Sequence, residues 1–160
     1  MNNPDHLSHT LSVIAAILLF SIISGCASTP DTSQYNTNKG IKLANQARTL
    51  INTPYQYGGN SPRGFDCSGL IQYTYQKLGI NIPRTTQAQL KQISPVKLSH
   101  IQPGDLIFFR LSGRKVSHVG LYIGDNQMIH APSGGKRVSY ASLDASGYWR
   151  SRIIATGRFY

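Results

Sequence analysis

The spacing of apolar residues changes period partway along this 160-residue chain, and that change limits the fold more than any other feature. In "GIKLANQARTLIN", Gly40 to Asn52, Ile41, Ala44, Ala47 and Ile51 recur at helical spacing. They predict an amphipathic helix closed off by Pro54. A Gly- and Pro-rich loop, "PYQYGGNSPRGF", follows. Asp66 then suits the N-cap of a second helix with the stripe Cys67, Leu70, Ile71, Thr74 and Leu78, and Gly79 supplies the stop. "TTQAQLKQI" predicts a short third helix after Pro83. From there the pattern is that of strands: "DLIFFR", "HVGLYIG", a "DN" turn, "QMIHAP", "RVSYASL" and "SRIIATGRFY". Helices first and strands second predict an α+β domain over 40–160. Its N-terminal helices cover one side of a mostly antiparallel sheet of about five or six strands. A domain of this length buries about two-thirds of its chain surface.

The residues before this domain read differently. "LSVIAAILLFSII", Leu11 to Ile23, is shorter than the ~20 residues a spanning helix needs, and it has the length of a signal-peptide core. "ISGC" ends it in the manner of a bacterial lipobox, with Cys26 as the lipidated first residue of the mature protein. The ten residues ahead of it hold no Lys or Arg, and an uncleaved anchor is the other reading. Residues 1–25 are therefore expected to be a lipoprotein signal peptide, and 26–39 a lipidated Cys and flexible tether spanning roughly 20 Å. Ala27 after the cysteine resembles outer-membrane sorting, facing the periplasm. All 16 Lys and Arg lie after Cys26, in a chain of formal net charge +10. They are scattered, and export removes nucleic acid as a partner. A carboxylate-bearing peptide or polymer suits an exported basic domain better, and a monomer is expected.

With Cys26 lipidated, Cys67 is the only thiol in an exported chain, which makes it either buried or reactive. In the first turn of a helix a thiol pKa is lowered by the helix N-terminus. In "SHVGLYIG" the period of two puts His118, Gly120 and Tyr122 on one face and Val119, Leu121 and Ile123 on the other. A small Gly beside the His suggests close packing on that face. The "GDN" turn returns the chain to His130, so paired strands hold the two imidazoles within about 5–8 Å. Cys67, His118 and His130 are then nucleophile, base and orienting group. Each has a bland alternative: an apolar filler, a structural strand histidine, or together a zinc site. The 67–118 separation lacks the short paired spacings of structural zinc sites.

Taken together, "YGG…GFDCSGLIQYTY", "PGDLIFF", "HVGLYIG" and "MIHAP" resemble the NlpC family of bacterial cell-wall cysteine peptidases, across Leu43 to Tyr160. The resemblance implies a papain-like fold and a cysteine endopeptidase acting on peptidoglycan stem peptides without metal or organic cofactor. It implies Cys67 as nucleophile, His118 as general base and acid, His130 as the orienting residue, and Tyr57 with the Cys67 N–H as oxyanion donors. Asp66 and Ser68 would contact the substrate peptide, their alternative role being helix capping, and Arg84 would line the groove. Trp149 is left open between core and groove. The absence of room for an SH3-like wall-binding domain resembles relatives that cut the diaminopimelate–D-alanine cross-link, the D-γ-glutamyl–diaminopimelate bond being the alternative. A catalytically silent wall-binding module and an amidase or acyltransferase on the same scaffold are the rival classes.

Overall fold

In a computed structural model the described residues are 32–134, 136–144 and 147–160. The signal peptide, Cys26 and the first part of the expected tether lie outside them. Three helices and six strands of one sheet make the α+β architecture expected from the sequence. The helices are α1 (Thr32–Arg48), α2 (Cys67–Gln76) and α3 (Thr86–Gln92). A two-stranded ribbon, β1 (Asn60–Ser61) and β2 (Gly64–Phe65), precedes α2. The main sheet runs in the order β3-β8-β4-β5-β6-β7, with every pair antiparallel. Its strands are β3 (Ser94–Pro95), β4 (Leu106–Phe109), β5 (His118–Gly124), β6 (Gln127–His130), β7 (Ser139–Ser142) and β8 (Ile153–Arg158).

Two expectations about α1 are corrected. It begins at Thr32, inside the segment read as a flexible tether, and ends at Arg48 rather than running to Asn52. Residues 32–39 hold no Gly or Pro, and extending a helix already anchored by packing costs far less than nucleating one. The buried stripe is also shifted: Leu43, Ala44, Ala47 and Leu50 face the core, while Ile41 is 45% exposed. Strand β3 was not foreseen. Two residues carry no periodicity, and Pro95 is tolerated there because β3 is an edge strand.

The alternation read in β5 holds. Val119, Leu121 and Ile123 join Leu106, Phe108 and Ile129 against Leu43, Leu70, Ile71 and Tyr75 of the helices. Each such fully buried side chain contributes about 1.5–3 kcal/mol. The opposite face is not bare, as a sheet covered on one side would leave it. Ile107, Phe109, Tyr122, Met128 and Leu143 form a second cluster beneath half-buried Trp149. The close packing expected beside Gly120 comes from Met128, whose sulfur would lie 2.6 Å from a Cβ at that position. In "PGD", the fully buried Asp105 accepts from Arg158 at 2.7 Å and from the Gln102 N–H at 2.8 Å, tying β8 to the start of β4.

Candidate active site

The first turn of α2 is fixed before any chemistry is considered. The Asp66 carboxylate caps it by accepting from the Gly69 N–H at 2.7 Å. Arg84 grips the same carboxylate at 2.7 and 2.9 Å and donates to the Ser68 hydroxyl at 3.0 Å and the Gly59 carbonyl at 3.2 Å. A Cβ on Gly69 would overlap the Gly59 carbonyl, so the Gly in "DCSG" is there to let the "YGG" loop dock on this turn. Gln89 of α3 donates to the Ser68 and Pro83 carbonyls from a fully buried position. Asp66, Ser68 and Arg84 line one cavity with Cys67. Their hydrogen bonds within the protein are those of the capping alternative.

Cys67 is a free, half-buried thiol at the first position of α2. Its sulfur lies 3.7 Å from the Thr86 hydroxyl, with the Val119 and Ser68 N–H groups in hydrogen-bonding reach. Val119 follows His118, so the sulfur sits at the entry to β5, and Cys67 and His118 line one cavity of about 200 Å³. The thiol pKa is nonetheless raised, contrary to the lowering expected from the helix N-terminus. Burial raises it most and the Asp66 charge adds to that, outweighing the hydrogen bonds from Thr86, Val119 and Ser68.

The two histidines meet as the register requires. Leu121 pairs with Ile129, which makes His118 and His130 diagonal neighbours on one face. His118 Nε2 lies 2.9 Å from His130 Nδ1, and the ring centroids are 5.1 Å apart. Both rings are buried, at 5% and 4% exposure. Burial lowers His118 to about 3, with the His130 charge second. It lowers His130 to about 4, with the Lys136 charge second. The Cys67 thiol and both imidazoles, each taken alone, therefore rest neutral near pH 7. With Nε2 engaged, Nδ1 is the nitrogen of His118 left to take a proton.

Tyr57 does not occupy the place expected of an oxyanion donor. Its side chain is 90% exposed, although it lines the cavity that also holds Cys67. Tyr55 is the fixed tyrosine. Its N–H donates to the Lys136 carbonyl at 2.9 Å, it bridges Phe65, and it lines both cavities that hold Cys67. Its phenol pKa is raised by burial first and then by the Cys67 charge. "YQY" offers two tyrosines, and only the alternation of inward and outward positions along the loop distinguishes them. Thr86 was missed as a neighbour of the site, and Trp149, left open between core and groove, packs against both imidazoles. Thr86 carries no pattern, and Trp149 is brought in by the β7–β8 connection. Among the described residues no group of three or more His, Cys, Asp or Glu is placed to hold a metal ion.

A thiol on a helix N-terminus facing a hydrogen-bonded imidazole pair on a sheet defines a cysteine-peptidase domain. The chain belongs to the NlpC/P60 family, which it matches over residues 52–158. It is 39% identical over 134 residues to the murein DD-endopeptidase MepH of Escherichia coli K12, covering 80% of this chain and 49% of MepH. It is 41% identical over 113 residues to the probable endopeptidase p60 of Listeria monocytogenes, covering 71% and 22%. The crystal structure of an NlpC/P60 family protein from Bacillus cereus superposes with a TM-score of 0.70 at 36% identity, covering 75% of this chain and 40% of that one. The chain thus spans half or less of the length of these relatives.

Proposed function

We propose that this protein is an exported, lipid-anchored, monomeric cysteine endopeptidase that hydrolyses peptidoglycan stem peptides at the diaminopimelate–D-alanine cross-link. The observation that carries the reading is the cavity shared by Cys67 and His118, with His118 Nε2 held by His130. In the reaction, Nδ1 of His118 takes the thiol proton as sulfur attacks the peptide carbonyl. The oxyanion is received by the Cys67 N–H, which has no acceptor within its helix, and by the Tyr55 hydroxyl. His118 protonates the leaving amine, then activates the water that cleaves the thioester. His130 fixes the tautomer of His118. Asp66, Ser68 and Arg84 form the groove wall beside the nucleophile and hold its helix turn in place. No cofactor takes part.

The bond assignment is supported by the likeness to MepH, a murein DD-endopeptidase. The lipid anchor on Cys26 and the outer-membrane, periplasm-facing location rest on "ISGC" and on the resemblance to the murein endopeptidase lipoprotein MepS. Digestion of purified peptidoglycan, followed by mass spectrometry of the muropeptides, tests the reading. Conversion of cross-linked dimers to monomers is expected. Cleavage after D-γ-glutamate would move the bond, release of bare glycan would make the protein an amidase, and no change would leave a silent module. Labelling with palmitate tests the anchor: it should disappear in Cys26→Ala.

A further inference from the structure

Trp149 packs on both imidazoles, yet no step of the proposed reaction uses it. Its indole is stacked on His118, with centroids 5.6 Å apart and planes at 29°. It is nearly perpendicular to His130, at 4.9 Å and 82°. Phe109, which pairs with His118 across β4 and β5, meets the indole at 5.0 Å from the core side. The turn that delivers Trp149 is itself braced. Arg152 donates its backbone N–H to the Trp149 carbonyl and its guanidinium to the Tyr148 carbonyl, and it lies 4.0 Å from the centre of the Tyr148 ring. Trp149 also lines the cavity of about 390 Å³ that opens on His118 and His130 from the side away from Cys67. Both rings are almost wholly buried, with the indole packed against each of them.

We propose that Trp149 is a positioning residue for the imidazole pair, its indole holding the plane of His118 and keeping water from the His118–His130 hydrogen bond. This rests on the catalytic roles proposed for the two histidines. The indole stacked on one face of His118, with Phe109 tilted against both rings at 6.1 Å from the imidazole, limits how far His118 can turn, so Nδ1 stays directed at the cavity it shares with Cys67. A dry Nε2–Nδ1 contact keeps His130 as the partner that selects the tautomer, because no water competes for either nitrogen. The titratable or charged groups sharing cavities with the pair are Cys67 from α2, Tyr55 from the loop before it, Lys136 from the β6–β7 connection, and Tyr148. Trp149 adds no charge to this set, so its effect is one of orientation and solvent exclusion.

The test compares Trp149→Phe, Trp149→Leu and Trp149→Ala in the full chain. Its readouts are imidazole nitrogen NMR, Cys67 alkylation by iodoacetamide against pH, and the kinetics of muropeptide cleavage. In Trp149→Ala the imidazole signals should shift to mixed tautomers and the His130 midpoint should rise from its depressed value toward 6.5. Alkylation at neutral pH and kcat should each fall about tenfold, a part of the ~100-fold or more that a general base contributes, with KM held. Trp149→Phe should restore most of this and Trp149→Leu less, because only the former offers a ring face. A folded Trp149→Ala with wild-type tautomers, titration and alkylation overturns the proposal, even if its melting temperature is lower. If Trp149→Ala does not fold, the same readouts on Trp149→Leu decide the matter. The alkylation and NMR readouts need no substrate. A wild-type protein that cleaves no muropeptide would defeat the substrate assignment and leave the role of Trp149 to be decided by those two.

Discussion

His118 Nε2 and His130 Nδ1 are 2.9 Å apart inside a buried face of the sheet, and the two residues are twelve positions apart in sequence. One nitrogen of each ring is committed to this contact. Only His118 also lines the cavity that holds Cys67, which is why the proposed reaction gives proton transfer to His118 and orientation to His130. His118→Ala should reduce muropeptide cleavage by about 100-fold or more, the contribution of a general base. His130→Ala should cost less, and His130→Asn less still, since an amide can occupy the same hydrogen bond. Turnover measurements on the three variants check the ranking, and equal losses for His118→Ala and His130→Ala would refute it.

The same burial predicts an acid sensitivity. Both histidines titrate near 6.5 when unfolded, but only at about 3 and about 4 when folded. Between 6.5 and about 4 the unfolded chain therefore binds more protons than the native one. Stability is full above 6.5 and is lost as pH falls through that window. Melting temperatures should drop over this range in the wild type, and the drop should shrink in a His118→Asn, His130→Asn double variant. An unchanged pH dependence in that variant would show that other groups cause it.

Tyr55 and Tyr57 separate the two possible oxyanion donors. Tyr55→Phe should lower kcat by about 100-fold, the usual loss for one such donor, with little change in KM. Tyr57→Phe, at a 90% exposed position, should leave kcat unchanged. Steady-state kinetics on a defined cross-linked muropeptide would expose the reverse pattern.

Asp66 does two things at once, and its variants separate them. Asp66→Ala removes both the cap on Gly69 and the partner of Arg84, and should cost about 1–2 kcal/mol in urea unfolding. Asp66→Asn keeps a good cap and should recover most of that. Arg84→Ala should cost less than about 1 kcal/mol, because the pair is partly exposed and screened. Arg84→Ala should slow Cys67 alkylation, since it loosens the nucleophile's turn while keeping the Asp66 charge that raises the thiol pKa. A destabilised Arg84→Ala that alkylates at the wild-type rate would separate bracing of the turn from catalysis.

Much of this was legible in the residues themselves. The change of period near residue 104 separated helices from strands. Asp66 announced the start of α2 because a carboxylate caps free N–H groups, and period two placed Val119 and Leu121 against the helices. The "DN" turn, where Asp125 and Asn126 take left-handed conformations, brought His118 and His130 together through local pairing alone. Four ordered motifs marked Cys67 and the two histidines as a set.

What sequence could not settle depends on contacts between distant segments. The thiol pKa is set by how deeply α2 buries Cys67 against β5, so the helix N-terminus, a local effect, is outweighed by a tertiary one. Tyr55 rather than Tyr57 faces the sulfur because Lys136, 81 positions further on, pins its backbone. Trp149 reaches both imidazoles through a connection with no periodicity to read. Local order in the chain chose the elements and the reacting groups. Burial and long-range pairing decided their protonation, their neighbours and which of two similar side chains enters the site.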